Sequence, residues 1–422
     1  MKQTEALEIL KSGVNVFLTG EPGAGKSYTI NLFNEWAKRN MSMYPSITAS
    51  TGIAATHING VTIHSWSGIG IKEVIHASDL NAIMRKDYLV RRIASAEVLI
   101  IDEISMINGE TLDNVDRVCR YVRGQAVQPS LEEKPFGGIQ VIFVGDFFQL
   151  PPVSKKKRKE KFAFESDAWL NAKPKICYLT EQHRQEDQQY LQILTAMRGG
   201  KLTKDQIAHL KARKKYIPQG ITRLFTHNAD VDQMNADELR KIPGEIKNFR
   251  MTSYVQNSAF EFMLENLKKS CLSPEVLQLK VGAPVMFTRN DSQGGEYVNG
   301  TLGFVTGFGS SGMPIVKTKE GRVIYVEKTQ KWSIEDHGQE KASISQVPLR
   351  LAWAITVHKC QGMSLDNAAM DLGKAFEYGQ GYVALSRVRS LNGLYLEAFN
   401  ERALEMHPTV VKMDGMFRKL SD

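Results

Sequence analysis

The chain reads as an α/β protein with parallel sheets, built in two blocks, the second interrupted by a β-rich module. Three observations carry this reading. Short apolar runs alternate with helical patterns through the first half, as βαβ units around a parallel sheet do. The alternation resumes at residue 221 and again near residue 347. Between these, residues 281–334 hold short strands separated by Gly-rich turns, the pattern of a small antiparallel barrel.

The first block offers strands "NVFLTG" (15–20), "PSITAS" (45–50), "EVLIID" (97–102), "QVIFVGD" (140–146) and "KICYLTE" (175–181). A polar helical segment, 77–92, interrupts the series and reads as a small insertion. The second block starts with "ITRLFTH" (221–227) and a helix from about 229 to 240. The β-module follows with "APVMFT", "GTLGFVTGF", "MPIVKT" and "GRVIYVE". The α/β pattern then returns in "PLRLAWAIT", "NAAMDLG" and "GLYLEAF". The expected domains are a first core at 1–175 with an insertion at about 57–95, a second core at 176–240 and 346–422, and an inserted domain at 241–345.

Composition narrows the classes. The chain has 422 residues, with 42% hydrophobic and 24% charged, an ordinary globular balance. No apolar run is long enough to span a bilayer, so no membrane partner is expected. The opening "MKQTEALEIL" has two acids and no apolar core, so no secretory leader is expected. Four cysteines lie far apart with no C-x-x-C pair, which argues against a disulfide framework or a zinc site and for a reducing, intracellular compartment. The formal charge of +8 favours a polyanionic partner. The run "KKKRKEK" (155–161) is the densest basic cluster; a solvated loop, a phosphate-contacting loop and a nuclear signal all fit it.

Three strand ends carry chemistry. "GEPGAGKS", Gly20 to Ser27, matches the phosphate-binding loop at every fixed position, after an apolar strand and before a helix. Small residues let backbone N–H groups converge on phosphates, and the helix N-terminus favours negative charge there. Lys26 is placed for the β and γ phosphates, and the Ser27 hydroxyl for Mg²⁺. "VLIIDEIS" (98–105) ends an apolar strand in two acids: Asp102 suits the magnesium shell, Glu103 a general base for water. Together these imply hydrolysis of a nucleoside triphosphate. In "VIFVGDFFQLPPV" (141–153), Gln149 is a candidate γ-phosphate sensor. Its Phe147-Phe148 pair either closes the core or offers a ring to an unstacked base. A further stretch, "AITVHKCQGMS" (354–364), sets His358, Lys359 and Cys360 side by side. A thiol nucleophile there needs an orienting base and a pocket, and no other ligand or triad partner accompanies the three.

In this order the blocks resemble the petite-integration-frequency (Pif) family of superfamily-one DNA helicases, relatives of RecD. The resemblance runs from about Gln3 to Leu396. It rests also on "STGIAA" (50–55), "GVTIHSWSGIG" (60–70), "LTEQHRQ" (179–185), "RLFTHNADVDQMN" (223–235), "VHKCQGMSLD" (357–366) and "GYVALSRV" (381–388). The segment "LDNVDRVCRYVRG" to "PFGGIQVIFVGDFFQLPPV" resembles the one that sets this family apart. The resemblance implies two RecA-like P-loop NTPase cores, a Src-homology-type β-barrel inserted in the second, and a strand-separating wedge near 77–92. ATP and Mg²⁺ are the implied cofactors. Residues Gly20, Glu21, Pro22, Gly23, Ala24, Gly25, Lys26, Ser27 and Tyr28 would line the nucleotide. Gln3 resembles the glutamine that reads the adenine edge, and Gln361 and Gly362 lie toward the cleft. Arg184 and Arg387 match the arginines that reach the γ-phosphate. Thr51, His64, Phe148, Pro151, Val153, Asn228, Thr356, His358 and Lys359 match DNA contacts.

The expectation is an ATP-dependent DNA helicase moving 5′ to 3′ on single strands and opening duplex forks, with G-quadruplexes as a further substrate, in replication, repair or telomere maintenance. It is expected to be close to a minimal motor and a monomer in solution. The compartment would be cytoplasmic in a bacterial or viral host, nuclear or mitochondrial in a eukaryote. Three other readings stand beside it: a DNA translocase that strips protein without unwinding, an RNA helicase, and a P-loop switch that binds a protein partner.

Overall fold

The computed structural model describes the chain except residues 41–43, 59, 71, 153–160, 182–186, 214–215, 219, 290, 292–295, 298, 327–328, 337–338, 362 and 422. Two compact units emerge. One is Met1–Arg184 with Asp336–Gln339 and His407–Asp422; the other is Gln185–Glu335 with Glu340–Met406.

The first unit is built on six parallel strands: β1 (Val16–Gly20), β2 (Ser46–Ala49), β3 (Val61–Thr62), β4 (Val98–Asp102), β5 (Gln140–Val144) and β6 (Lys175–Leu179). Their order is β3-β2-β4-β5-β1-β6. Each central strand is apolar on both faces, as a sheet covered on both sides requires. Val16 and Leu18 of β1 pack with Ile100, Ile142, Val144, Cys177 and Leu179 under α1 (Gln3–Lys11) and α2 (Lys26–Asn40). Phe17 points the other way, against Phe147 and Trp169. Crossovers are made by α3 (Gly52–His57), α4 (Ile63–Ser67), α5 (Ala77–Met84), α6 (Asp87–Ser95), α7 (Gly109–Ala126) and α8 (Asp167–Ala172).

The 77–92 segment is two helices, and it is not polar throughout. Leu80, Ile83, Leu89 and Ile93 form a buried stripe. Helix α7 fastens this insertion with side chains on backbone carbonyls. The Arg117 guanidinium donates to Ile75 O (2.7 Å) and Asn114 Nδ2 to Glu73 O (2.9 Å). Arg123 donates to Ala94 O (2.9 Å), Ala96 O (2.6 Å) and Gly137 O (2.7 Å). It thereby caps the carbonyl end of α6.

The second unit holds a four-stranded parallel sheet of order β18-β7-β19-β20. In chain order its elements are α9 (Gln188–Arg198), α10 (Lys204–Lys211), β7 (Arg223–Phe225), α11 (Asn228–Lys241), β8 (Lys247–Arg250), β9 (Thr252–Val255), α12 (Glu261–Ser270), β10 (Val276–Leu279), β11 (Pro284–Phe287), β12 (Leu302–Phe308), β13 (Pro314–Thr318), β14 (Val323–Tyr325), β15 (Gln330–Asp336), β16 (Gln339–Gln346), β17 (Leu349–Leu351), β18 (Ala354–Thr356), β19 (Ala368–Leu372), α13 (Gln380–Leu385), β20 (Leu394–Phe399) and α14 (Glu401–Leu404). The β-rich module is an antiparallel sheet of order β14-β13-β12-β11-β17, with smaller sheets β10-β8 and β15-β16-β9 beside it. Its core gathers Leu277, Val285, Phe287, Val305, Val316, Ile324 and Leu349. The run "PLRLAWAIT" splits: β17 completes the antiparallel sheet, while β18 enters the parallel one.

Two boundaries differ from the sequence expectation. Strand β6 pairs with β1 along its whole length, so the first unit runs past residue 175. The final helix, α15 (Pro408–Ser421), belongs to the first unit and not the second. The edge strand β6 explains why. Its Tyr178 hydroxyl donates to Asp414 Oδ1 (3.0 Å), its backbone N–H donates to Ser421 Oγ (2.9 Å), and Arg418 lies 4.3 Å over its ring. Phe417 enters the aromatic cluster 5.0 Å from Phe17.

Candidate nucleotide site and nucleic-acid surface

The phosphate-binding loop sits where β1 meets α2. Gly20 has φ +147, and a Cβ there would fall 2.7 Å from Leu179 O. Gly25 has φ +88, and its missing Cβ leaves the space that Gln3 Nε2 fills. Gln3 in turn donates to Ala24 O (3.2 Å), and its backbone N–H donates to Glu181 (3.1 Å). The structure therefore brings Gln3 onto the phosphate-binding loop. The Lys26 ammonium lies across the loop, donating to Gly20 O (2.8 Å) and Glu21 O (3.2 Å). Glu21 also meets Arg418 of α15 at 3.7 Å. Ser27 and Tyr28 are exposed at the first turn of α2.

Asp102 ends β4 one strand beyond β5, and its Oδ1 accepts from Glu103 N (2.8 Å). Burial pushes its carboxyl up, while that backbone bond and the Lys26 charge pull it down. Lys26 and Asp102 therefore share one electrostatic site. Glu103 follows in the left-handed region (φ 50, ψ 47), a conformation rare outside Gly and typical of functional turns. Gln149 is buried beside β5, its N–H bonded to Asp146 O (2.9 Å). Asp146 was passed over in the sequence reading. Fully buried, it accepts from Phe148 N (3.1 Å) and so shapes the turn that carries Gln149. An acid ending an apolar strand, the signal used for Asp102, is present there too.

Ser27 and Asp102 offer hard oxygen donors beside a cationic loop, and this suits Mg²⁺ held jointly with phosphates. Among the described residues there is no cluster of three or more His, Cys, Asp or Glu that could hold a metal.

The nucleic-acid residues divide. In the first unit Thr51 caps α3, its hydroxyl accepting from Ala54 N (3.2 Å). His64 on α4 has its pKa lowered by burial. Pro151 is half-buried. Phe148 is 3% exposed, so the expected stacking ring is closed into the core, as Phe147 is. In the second unit Thr356 ends β18, buried, with its hydroxyl accepting from Lys359 N (3.3 Å). That threonine shapes the turn and does not present a free hydroxyl. His358 and Lys359 are half-buried and have lowered pKa values, chiefly from burial; His227 adds to the first and Arg350 to the second. Cys360 is fully buried and its thiol donates to Val357 O (3.2 Å), so it packs and is no nucleophile.

Among the described residues Arg387 is the largest fully buried side chain. It donates to Val383 O (2.9 Å), Ser386 Oγ (2.8 Å) and Met363 O (3.4 Å). Gln361 is buried. Val153, Arg184 and Gly362 lie outside the described residues, as does the side chain of Asn228. The sequence reading also missed His227 and Phe376, whose rings meet at 5.3 Å beside His358, with Phe376 53% exposed. An exposed aromatic in "GKAFEYG" was the available signal.

A parallel sheet with Lys26 after β1 and Asp102 at the end of β4, one strand apart across β5, defines a P-loop nucleotide hydrolase, and a second parallel α/β unit in the same chain is the plan of a helicase motor. The chain belongs to the PIF1-like helicase family: residues 2–207 match that family, and residues 261–308 match the domain described as DNA helicase Pif1, 2B domain. It is 42% identical to the ATP-dependent DNA helicase Pif1 of a Psychrobacter species, over all of this chain and 71% of that protein. It is 38% identical to the mouse ATP-dependent DNA helicase PIF1, over 98% of this chain and 61% of that protein. The chain thus spans less than two thirds of the mouse protein's length. Among solved structures it is similar to a Bacteroides Pif1 in complex with ADP-AlF4 (TM-score 0.83, 31% identity, 99% of this chain and 96% of that one). A Bacteroides Pif1 bound to ADP-AlF3 and single-stranded DNA superposes with TM-score 0.65 at 32% identity, over 99% and 98% of the two chains.

Proposed function

We propose that this chain is an ATP-dependent DNA helicase that moves 5′ to 3′ along a single strand and opens duplex ahead of it. The observation that carries the reading is the phosphate-binding loop, with Lys26 folded across it near Asp102 and Gln3 laid against Ala24 and Gly25. The loop amides and Lys26 bind the triphosphate, and Gln3 orients the base. Bound Mg²⁺, held by Ser27 and Asp102, would neutralise phosphate charge. Glu103 takes a proton from the attacking water, and Gln149 positions that water. Arg184 and Arg387 stabilise charge developing on the γ-phosphate. For Arg387 this requires release from the Val383 and Ser386 bonds that hold it here.

Single-stranded DNA is held through its backbone by Thr51, Asn228, His358 and Lys359, with His64, Pro151 and Val153 against the bases. Such contacts tolerate any sequence, which a motor needs. Phe148 is left out of this set because its ring is buried. The antiparallel sheet of the second unit is the Src-homology-type barrel in this reading, and α5–α6 the wedge. G-quadruplexes fall within the same substrate class.

Unwinding of forks with a 5′ or a 3′ single-stranded tail, in matched DNA and RNA versions, tests the proposal. DNA opened from the 5′ tail is the expected result. Opening from the 3′ tail reverses the polarity, and activity confined to RNA moves the protein to another class. ATP turnover indifferent to single strands overturns the motor reading altogether.

A further inference from the structure

Arg350 lies in the middle of β17, between Leu349 and Leu351, which face the apolar core of the antiparallel sheet. Side chains alternate along a strand, so Arg350 turns to the opposite face. Its register partner on β11 is Met286, also buried and also absent from that core. Arg350 is 7% exposed. Its Nε is buried without an acceptor, and no hydrogen bond or ion pair reaches its guanidinium among the described residues.

A buried guanidinium without acceptors is costly, and buried arginines are normally paired. The groups around this one do not pair it. Asp232 on α11 favours its charge but is exposed and makes no bond to it. The Cys271 thiol is pushed up to about 11, so it is neutral. Lys359, in the turn after β18, adds a second cation, and each of the two basic groups is held below its ordinary pKa, first by burial. The neighbourhood therefore has donors and positive charge in excess of acceptors. A planar fork of five N–H groups suits a carboxylate or a phosphate, and no carboxylate bonds this one among the described residues.

We infer that Arg350, together with Lys359, binds one backbone phosphate of the single strand. This rests on the proposed nucleic-acid function, because Lys359 is the element the two share. The phosphate contact adds specificity of register, not of base, since phosphates carry no sequence information.

The test is equilibrium binding of the full chain to a fluorescent oligothymidylate across a salt series. Each phosphate contact on a single strand contributes about 0.7 to the slope of log affinity against log salt. Arg350→Met is expected to lower the slope by part of the about 0.7 that the phosphate shared with Lys359 contributes, and to weaken binding several-fold, while Arg350→Lys keeps most of the slope. A purely structural arginine predicts the reverse: Met in its place is neutral or stabilising, and the slope does not move. An unchanged slope in a folded Arg350→Met protein therefore overturns the inference. Should that variant unfold, Arg350→Gln is read in the same way. Titration with inorganic phosphate separates the sources. A phosphate-dependent rise in melting temperature that Arg350→Met abolishes, with the DNA slope intact, assigns the site to a free anion and rejects the strand. Wild-type protein that shows no salt-dependent binding at all rejects the parent reading instead.

Discussion

Lys26→Ala removes the only ammonium in the phosphate-binding loop and the cation that favours ionised Asp102. ATP turnover is expected to vanish while single-strand binding survives, because the proposed DNA residues lie on other strand ends. A steady-state ATPase assay beside a DNA-binding isotherm checks this, and turnover persisting in the variant rejects the loop assignment. Arg387 requires a finer substitution. Arg387→Ala removes the donor to the Ser386 hydroxyl and one of the two donors to the Val383 carbonyl, the other being Ser386 Oγ, a loss of about 2–4 kcal/mol in a buried network. Arg387→Lys keeps the charge and loses the fork. It is expected to fold and bind nucleotide, with turnover down at least about tenfold. A denaturation midpoint that falls in step with turnover assigns the arginine to structure.

At the scale of elements, the parallel strands were legible because burial on both faces demands unbroken apolar runs. The last helix was not assignable in the same way. Residues 408–421 announce an amphipathic helix, but nothing in Val410 or Phe417 says which sheet they face. That is settled by long-range partners: Tyr178 for Asp414 and Ser421, and the rings of Phe17, Phe147 and Trp169 for Phe417. Phe148 misled for a related reason, since "DFFQLPP" cannot show whether one ring or both turn inward. Phe417→Ala is expected to destabilise the first unit by about 3 kcal/mol, read from urea unfolding; an unshifted midpoint would separate α15 from the core. Helix α7 gives a second element-scale expectation. Arg123→Met releases the carbonyls of Ala94, Ala96 and Gly137, so α6 should fray at its C-terminal end. Hydrogen exchange should then quicken in residues 87–95 before the rest of the unit. Exchange that quickens uniformly, or not at all, argues against α7 as the fastening of the insertion.

At the scale of the whole molecule, a charge of +8 says only that a polyanion is a suitable partner; the pKa directions say which residues supply the charge. His64 and His358 both have pKa values lowered from 6.5 by burial, so both imidazoles are neutral above that pH. A neutral ring can hydrogen-bond or pack against a strand but releases no counterion. Lysine and arginine contacts do release them, so affinity for single strands should fall steeply with salt. The two kinds of contact then separate in one experiment at pH 7.5. His64→Ala and His358→Ala should weaken binding while leaving the salt slope as it is. Lys359→Met should lower the slope, by no more than the about 0.7 of the one phosphate it shares with Arg350. The sign with pH follows from the same directions: burial holds both imidazoles neutral above pH 6.5 in the free protein, so the wild-type slope should be shallower at pH 7.5 and steepen as pH falls below 6.5. A slope that drops in the histidine variants at pH 7.5 means that those rings are charged on DNA, and the division between neutral and cationic contacts fails.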